Sequence, residues 1–222
     1  MERRRLLDND GYIDWLKSIG CVLYLPFAFN GDLTDRISGQ SLIVSGNGSI
    51  VWDNNEQMYK ITQSSILWQY VARLENGLNN TWFTNNKYST CHQIKMVTNS
   101  STKFIASGPS PMTTSSSDTV NAIGAYYNAS GRSSGFPRTL AKVAYVCNAN
   151  EERSYYQGGA LYGSYPSYNP YLPSNWVQTS NGVAIALTGE ANRYGTQYYG
   201  KEYYIFNTAL DLTTIRKIQG YE

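Results

Sequence analysis

The sequence predicts an all-β fold, an antiparallel two-sheet sandwich with short N-terminal and C-terminal helices, on three observations. Its 222 residues suit one large all-β domain, long enough to bury a core without disulfides or metals. Aromatic residues reach 14% against 15% charged, with 20 Tyr to 6 Phe. A Tyr ring buries apolar area and keeps a hydroxyl for hydrogen bonding, which suits half-exposed strands and contact surfaces. Many short apolar runs alternate with Gly, Asn, Ser and Pro turns, with no internal repeat and no linker.

Residues 1–10 read as a charged leader carrying Arg3, Arg4 and Arg5. Asp10 offers a helix N-cap, and Tyr12, Trp15, Leu16 and Ile19 then recur on one helical face until Gly20 ends the helix. That stripe must pack on something, either the sandwich or a neighbouring subunit. Strands are expected over 21–27, 50–52, 58–61, 66–68, 92–97 and 102–106. In the 92–97 run, alternation puts Ile94 and Met96 on one face and Gln93 and Lys95 on the other. The Ser/Thr/Pro-rich stretch 107–119 reads as a loop. Further strands are expected over 121–127, 141–147, 183–187 and 203–206, and Asp211 caps a last short helix bearing Leu212, Ile215 and Ile218. The chain thus divides into a basic arm and helix over 1–20, read as an anchor, and a sandwich over 21–222.

The net charge of +2 is supplied by the leader, where Arg3, Arg4 and Arg5 face only Glu2. A balanced body lacks the clustered cations of a phosphate-binding face, so nucleic acid is not an expected partner. Cys21, Cys91 and Cys147 are widely spaced with no C-x-x-C, and the one histidine, His92, does not complete a zinc set. Reduced, buried thiols are expected. Leu6 and Leu7 are followed at once by Asp8, Asn9 and Asp10, so no signal-peptide core is seen, and no run is long enough to span a membrane. Folding in a cytoplasm is the resulting expectation. The four Asn-x-Ser/Thr sequons, at Asn47, Asn79, Asn99 and Asn128, then read as incidental to an Asn- and Ser-rich chain.

Three segments carry a family likeness. The opening 22–27 run, with Asn30, Gly31, Asp32, Asp35, Ser38 and Gly39 after it, resembles the first strand and D-x-S-G-x turn of concanavalin A-like, laminin-G-like domains. The closing 204–210 run, with 212–218 behind it, resembles that family's last strand, F-N-x-A-L corner and short helix. Midway, 143–146 followed by 155–159 resembles a strand pair ending in Y-x-N-G, with Gln157 where the family has Asn. The resemblance implies a jelly roll whose first and last strands pair side by side. It speaks to fold and leaves activity open.

Some members of such folds are glycoside hydrolases, whose strand-borne E-x-D-x-E sets two carboxylates on one face about 5–5.5 Å apart. Glu151 and Glu152 are adjacent and would point to opposite faces, while Glu190 and Glu202 stand alone. His92 lies within an alternating strand, and the Gly158–Gly159 pair opens no phosphate-cradling helix. A non-catalytic protein needing no cofactor is therefore expected. The family allows calcium, for which Asp32 and Asp35 are the close acid pair; the competing reading is turn residues bonding their own backbone.

The strongest binding candidates are Tyr155, Tyr156, Tyr162, Tyr165, Tyr168 and Tyr171 with Trp176, which sit amid Gly, Ser and Pro. Such rings stack on sugars, anchor protein interfaces or pack on the sandwich. A lectin-type sandwich without a secretion signal fits a virion protein assembled in a host cytoplasm. The expected function is a bacteriophage structural or decoration protein (capsid, head-fibre or tail). Arg3, Arg4, Arg5, Tyr12, Trp15, Leu16 and Ile19 would anchor it to virion partners or to copies of itself as a homo-oligomer, and glycans are a further expected partner. The alternative is a carbohydrate-binding module of a secreted or surface protein.

Overall fold

The computed structural model describes residues 10–44, 48–63, 70–74, 87–96, 103–107, 110–114, 120–123, 140–148, 153–165, 184–187 and 197–221. Its first element, α1 (Asp10–Ser18), closes on Gly20, whose φ of +86° falls in the left-handed region. A Cβ at Gly20 would stand 2.5 Å from the Asn207 side chain, so glycine is required there twice over. The final helix, α2 (Leu212–Gln219), is capped by Asp211, whose carboxylate accepts from the Thr214 N–H at 2.7 Å, and it stops at left-handed Gly220.

Between them lie two antiparallel sheets. The larger contains β1 (Cys21–Leu25), β3 (Gly48–Asp53), β4 (Met58–Gln63), β6 (Tyr88–Met96), β10 (Ala141–Cys147), β11 (Arg153–Gln157), β12 (Ala160–Tyr165) and β14 (Gln197–Phe206). Its order is β12-β11-β10-β6-β14-β4-β3. The ten-residue β14 is its seam. One edge of β14 pairs with β6 throughout; the other pairs with β4 over 197–200 and with β1 over 203–206. First and last strands therefore lie side by side. The smaller sheet runs β2-β5-β13-β7-β8-β9, from β2 (Leu42–Val44), β5 (Tyr70–Leu74), β7 (Lys103–Ser107), β8 (Ser110–Thr114), β9 (Val120–Ile123) and β13 (Ala184–Leu187).

Period-2 alternation divides the larger sheet's side chains between two cores. The inner face (Leu23, Leu25, Ile61, Ile94, Val143, Tyr145, Tyr203, Ile205) packs with Leu42, Ala72 and Leu74 of the smaller sheet. The outer face (Cys21, Tyr24, Cys91, Ala144, Val146, Tyr204, Phe206) is covered by Leu16 of α1 and by Leu210, Ile215 and Ile218 around α2. The amphipathic stripe of α1 thus packs on the chain's own sheet. All three cysteines are free and buried, and burial pushes the Cys21 and Cys91 thiols up.

The 107–119 stretch differs from its expected loop: β8 lies inside it, paired residue for residue with β7. Pro111 is tolerated because β9 meets β8 only from Met112 onward, so the proline falls outside that second ladder. The strand expected over 66–68 and the Gly- and Ser-containing stretch 130–135, which reads as a turn, lie outside the described residues. No described helix is long and apolar enough to cross a membrane.

Candidate binding surface

The outer face of the larger sheet has two halves. In register across it run Tyr156–Ala144–Cys91–Tyr204–Tyr24, then Lys142–Gln93–Glu202, then Lys95–Tyr199–Lys60–Val51. The first of these rows is sealed beneath the two helices. There the Tyr12 and Tyr204 hydroxyls lie 3.2 Å apart, and burial pushes the Tyr12 phenol up to about 12.

The last row is open. Val51 is 58% exposed, and Lys60, Lys95 and Tyr199 are half-buried. Tyr199 is held at both ends. Its hydroxyl donates to Asp53 Oδ2 at 2.9 Å, and Lys95 Nζ lies 5.5 Å from its ring centroid. Lys95 also pairs with Glu56 at 2.6 Å. Asp53 ends β3 and opens the turn into β4, where its Oδ1 accepts from the N–H groups of Asn55 and Glu56 at 2.8 and 3.2 Å. The Tyr199 hydroxyl first, then those two amides, hold the Asp53 carboxyl below its usual range, and the same bond raises Tyr199. The patch presents an aromatic ring bonded through its hydroxyl to one carboxylate, with one ammonium group beside its face. A general acid needs a raised pKa, and Asp53 is displaced the other way.

His92 lies on the opposite, inner face, 5% exposed and 4.5 Å from the Tyr203 ring. Burial pushes it down to about 3, so it is a neutral core residue out of reach of an external substrate. Both acids of the first turn are occupied. Asp35 is fully buried, with Oδ1 accepting from the Tyr24 and Ile37 N–H groups and Oδ2 from the Ser38 N–H and hydroxyl. Asp32 accepts from the Ala28 N–H at 3.0 Å and pairs with Arg36 at 2.8 Å. They hold the turn against β1, and no cluster of three metal-ligating side chains occurs among the described residues.

The tyrosine-rich set is divided by the structure. Tyr155 is wholly buried in the inner core because it alternates with outward Tyr156, so it is not available to a ligand. Tyr156 packs half-buried beside the helices. Tyr162 and Tyr165 fall on β12, a strand at the end of the larger sheet's order. Tyr168, Tyr171 and Trp176 lie outside the described residues, as do Arg3, Arg4 and Arg5 and the acids Glu151, Glu152 and Glu190. Among the anchor residues, Leu16 is fully buried, with Tyr12, Trp15 and Ile19 packed around it. Lys217 of α2 lies over the Trp15 ring at 4.6 Å. Sequence reasoning missed Asp53, Glu56, Lys60 and Tyr199. Only the polar side of the 92–97 alternation, with Lys95 on it, pointed to this face.

No protein-family model matches the chain, and no curated protein matches it. Solved structures share its fold. Botulinum neurotoxin type C, whose uptake into cells depends on interaction with two ganglioside molecules, aligns at TM-score 0.57 and 14% identity, covering 93% of this chain and 52% of that one. The binding domain of botulinum neurotoxin DC, in complex with rat synaptotagmin II, aligns at TM-score 0.57 and 15% identity, covering 91% and 51%. A Trypanosoma rangeli sialidase with sialic acid bound aligns at TM-score 0.58 and 11% identity, covering 90% and 32%. The chain spans about half the length of the neurotoxin chains and about a third of the sialidase. At these identities the likeness establishes an all-β sandwich and nothing finer.

Proposed function

We propose that this chain is a non-catalytic binding sandwich whose ligand surface is the open half of the larger sheet's outer face, and that its ligand is a glycan. The observation that carries the reading is the fixing of Tyr199 between Asp53 and Lys95 on an otherwise open row. A ring locked in place offers a stacking face at little entropic cost, and the flanking carboxylates and ammonium groups match the donors and acceptors of sugar hydroxyls. The fold is one that binding domains of other proteins use, which is consistent with this role. A glycan array probed with the wild type, Tyr199→Ala and Tyr156→Ala tests it. Binding that Tyr199→Ala abolishes and Tyr156→Ala preserves supports the reading. Binding that only Tyr156→Ala abolishes moves the site to the β11–β12 hairpin and overturns it.

The setting we propose is a bacteriophage virion, assembled in the host cytoplasm and anchored by the leader. The stripe of α1 is committed to the chain's own sheet, so the anchoring role falls to residues 1–9 with Arg3, Arg4 and Arg5. Light scattering on the full chain and on a chain lacking residues 1–9 checks this. An assembling full chain and a monomeric truncation support the anchor; two monomers of equal mass contradict it.

A further inference from the structure

Beyond β1 the chain reverses in a four-residue turn over 29–32, closed where the Asp32 N–H donates to the Phe29 carbonyl at 3.0 Å. Its two central residues, Asn30 and Gly31, are exposed, and Gly31 has a φ of +91°. A Cβ at Gly31 would meet nothing within 4 Å. The Asn30 side chain makes no hydrogen bond among the described residues. The Gly31 N–H, by contrast, is held. It donates to the Tyr59 hydroxyl at 2.6 Å, and that hydroxyl donates in turn to the Phe29 carbonyl at 3.1 Å. Tyr59 is itself fixed, 2% exposed, with the Phe27 and Trp52 ring centroids 5.3 and 5.1 Å from its own. A buried phenol thus reaches out to an exposed turn and pins the peptide between its central residues.

An asparagine followed by glycine carries its own chemistry. The glycine nitrogen attacks the asparagine Cγ and closes a five-membered succinimide, while the side-chain nitrogen leaves as ammonia with the proton of the glycine N–H. Water then opens the ring at either carbonyl and gives aspartate or isoaspartate. Gly31 has no Cβ to crowd the attacking nitrogen, and the Asn30 amide stands in water. Attack requires that nitrogen to lose its proton and to face Cγ. The bond to Tyr59 opposes both. It engages the N–H and aims it at the phenol, and the phenol, whose own proton is committed to the Phe29 carbonyl, is no base.

We infer that Asn30 is a site of spontaneous conversion to aspartate and isoaspartate, and that the Tyr59 hydroxyl is the brake that sets its rate in the folded chain. Either product adds a carboxylate near that of Asp32, which accepts from the Ala28 N–H and pairs with Arg36. Isoaspartate also lengthens the backbone of the turn that Tyr59 clasps. Peptide mapping by mass spectrometry, on full chains incubated in mildly alkaline buffer, follows the conversion, with melting curves to confirm folding. Asn30 of the wild type should convert more slowly folded than in urea. Folded Tyr59→Phe, which keeps the ring, should convert at least about fivefold faster than folded wild type, the worth of one such hydrogen bond. Leu16→Ala, weakened in the outer core, should not. Equal rates in folded Tyr59→Phe and folded wild type would overturn the inference. So would an equal acceleration in Leu16→Ala, which would assign the rate to global opening. Should Tyr59→Phe fail to fold, the wild type decides: conversion as fast folded as in urea, or in neither, overturns it.

Discussion

Tyr24 and Tyr204 lie face to face, their ring centroids 4.4 Å apart and their planes 7° from parallel. They are register partners in β1 and β14, so this stack joins the first strand to the last, and the Tyr12 hydroxyl of α1 meets it from above. Both rings are buried. Removing one leaves a cavity in the outer core and unties α1, so Tyr204→Ala should cost about 3–5 kcal/mol. Urea denaturation measures it, and Tyr204→Phe, which keeps the stack, should lose much less.

Asp35 answers to the same strand. Its carboxylate accepts the Tyr24 N–H at 2.8 Å and closes the turn through Ile37 and Ser38. Asp35→Ala leaves several N–H donors without an acceptor in a buried place and should destabilise the chain by about 3 kcal/mol or more. Asp32→Ala removes an ion pair with the part-exposed Arg36 and should cost less than Asp35→Ala. Parallel melting curves for the two variants give the comparison.

His92 makes stability depend on acid. Its folded pKa is pushed down to about 3, whereas the unfolded value is about 6.5. Between those values the unfolded chain holds a proton that the folded chain does not. The contribution is therefore complete above pH of about 6.5 and is lost as pH falls toward about 3, at roughly 1.4 kcal/mol per unit. His92→Phe should remove that slope. Unfolding free energies of the two proteins, measured over that window, should converge or cross on acidification; curves that stay parallel would contradict the burial of a neutral imidazole.

Leu16 is fully buried in the outer core that also holds Ile215 and Ile218, so α1 is part of the fold. Leu16→Ala should cost about 2–5 kcal/mol, read from urea midpoints. Deleting residues 1–19 bares Tyr24, Tyr204 and Phe206 and should give an aggregating chain.

The periodicities that made these elements were visible along the chain. The 21–27, 141–147 and 203–206 runs became β1, β10 and the end of β14, the 12–19 stripe became α1, and Asp211 caps α2. The pairing of β1 with β14 is the one that the family resemblance of the two ends implies. The proposed binding face was not legible in the same way. Tyr199 meets Asp53 across 146 positions of sequence, and Lys95 meets Glu56 across 39, through ladder neighbours that no local pattern announces. Tyr155 misled for a related reason. In a run of tyrosines, composition does not say which alternate member faces the core, and the register of β10 on β11 turned Tyr155 inward and Tyr156 outward. The β8 strand was hidden by a Ser- and Pro-rich composition that its place between two partners overrides.

The central claim is that the open half of the larger sheet's outer face takes the ligand, and hydrogen exchange with and without the strongest glycan from the array tests it most directly. Bound sugar should slow exchange over 53–63, 93–96 and 197–202. Protection confined to 153–165, or absent from β4 and β14, would contradict the account.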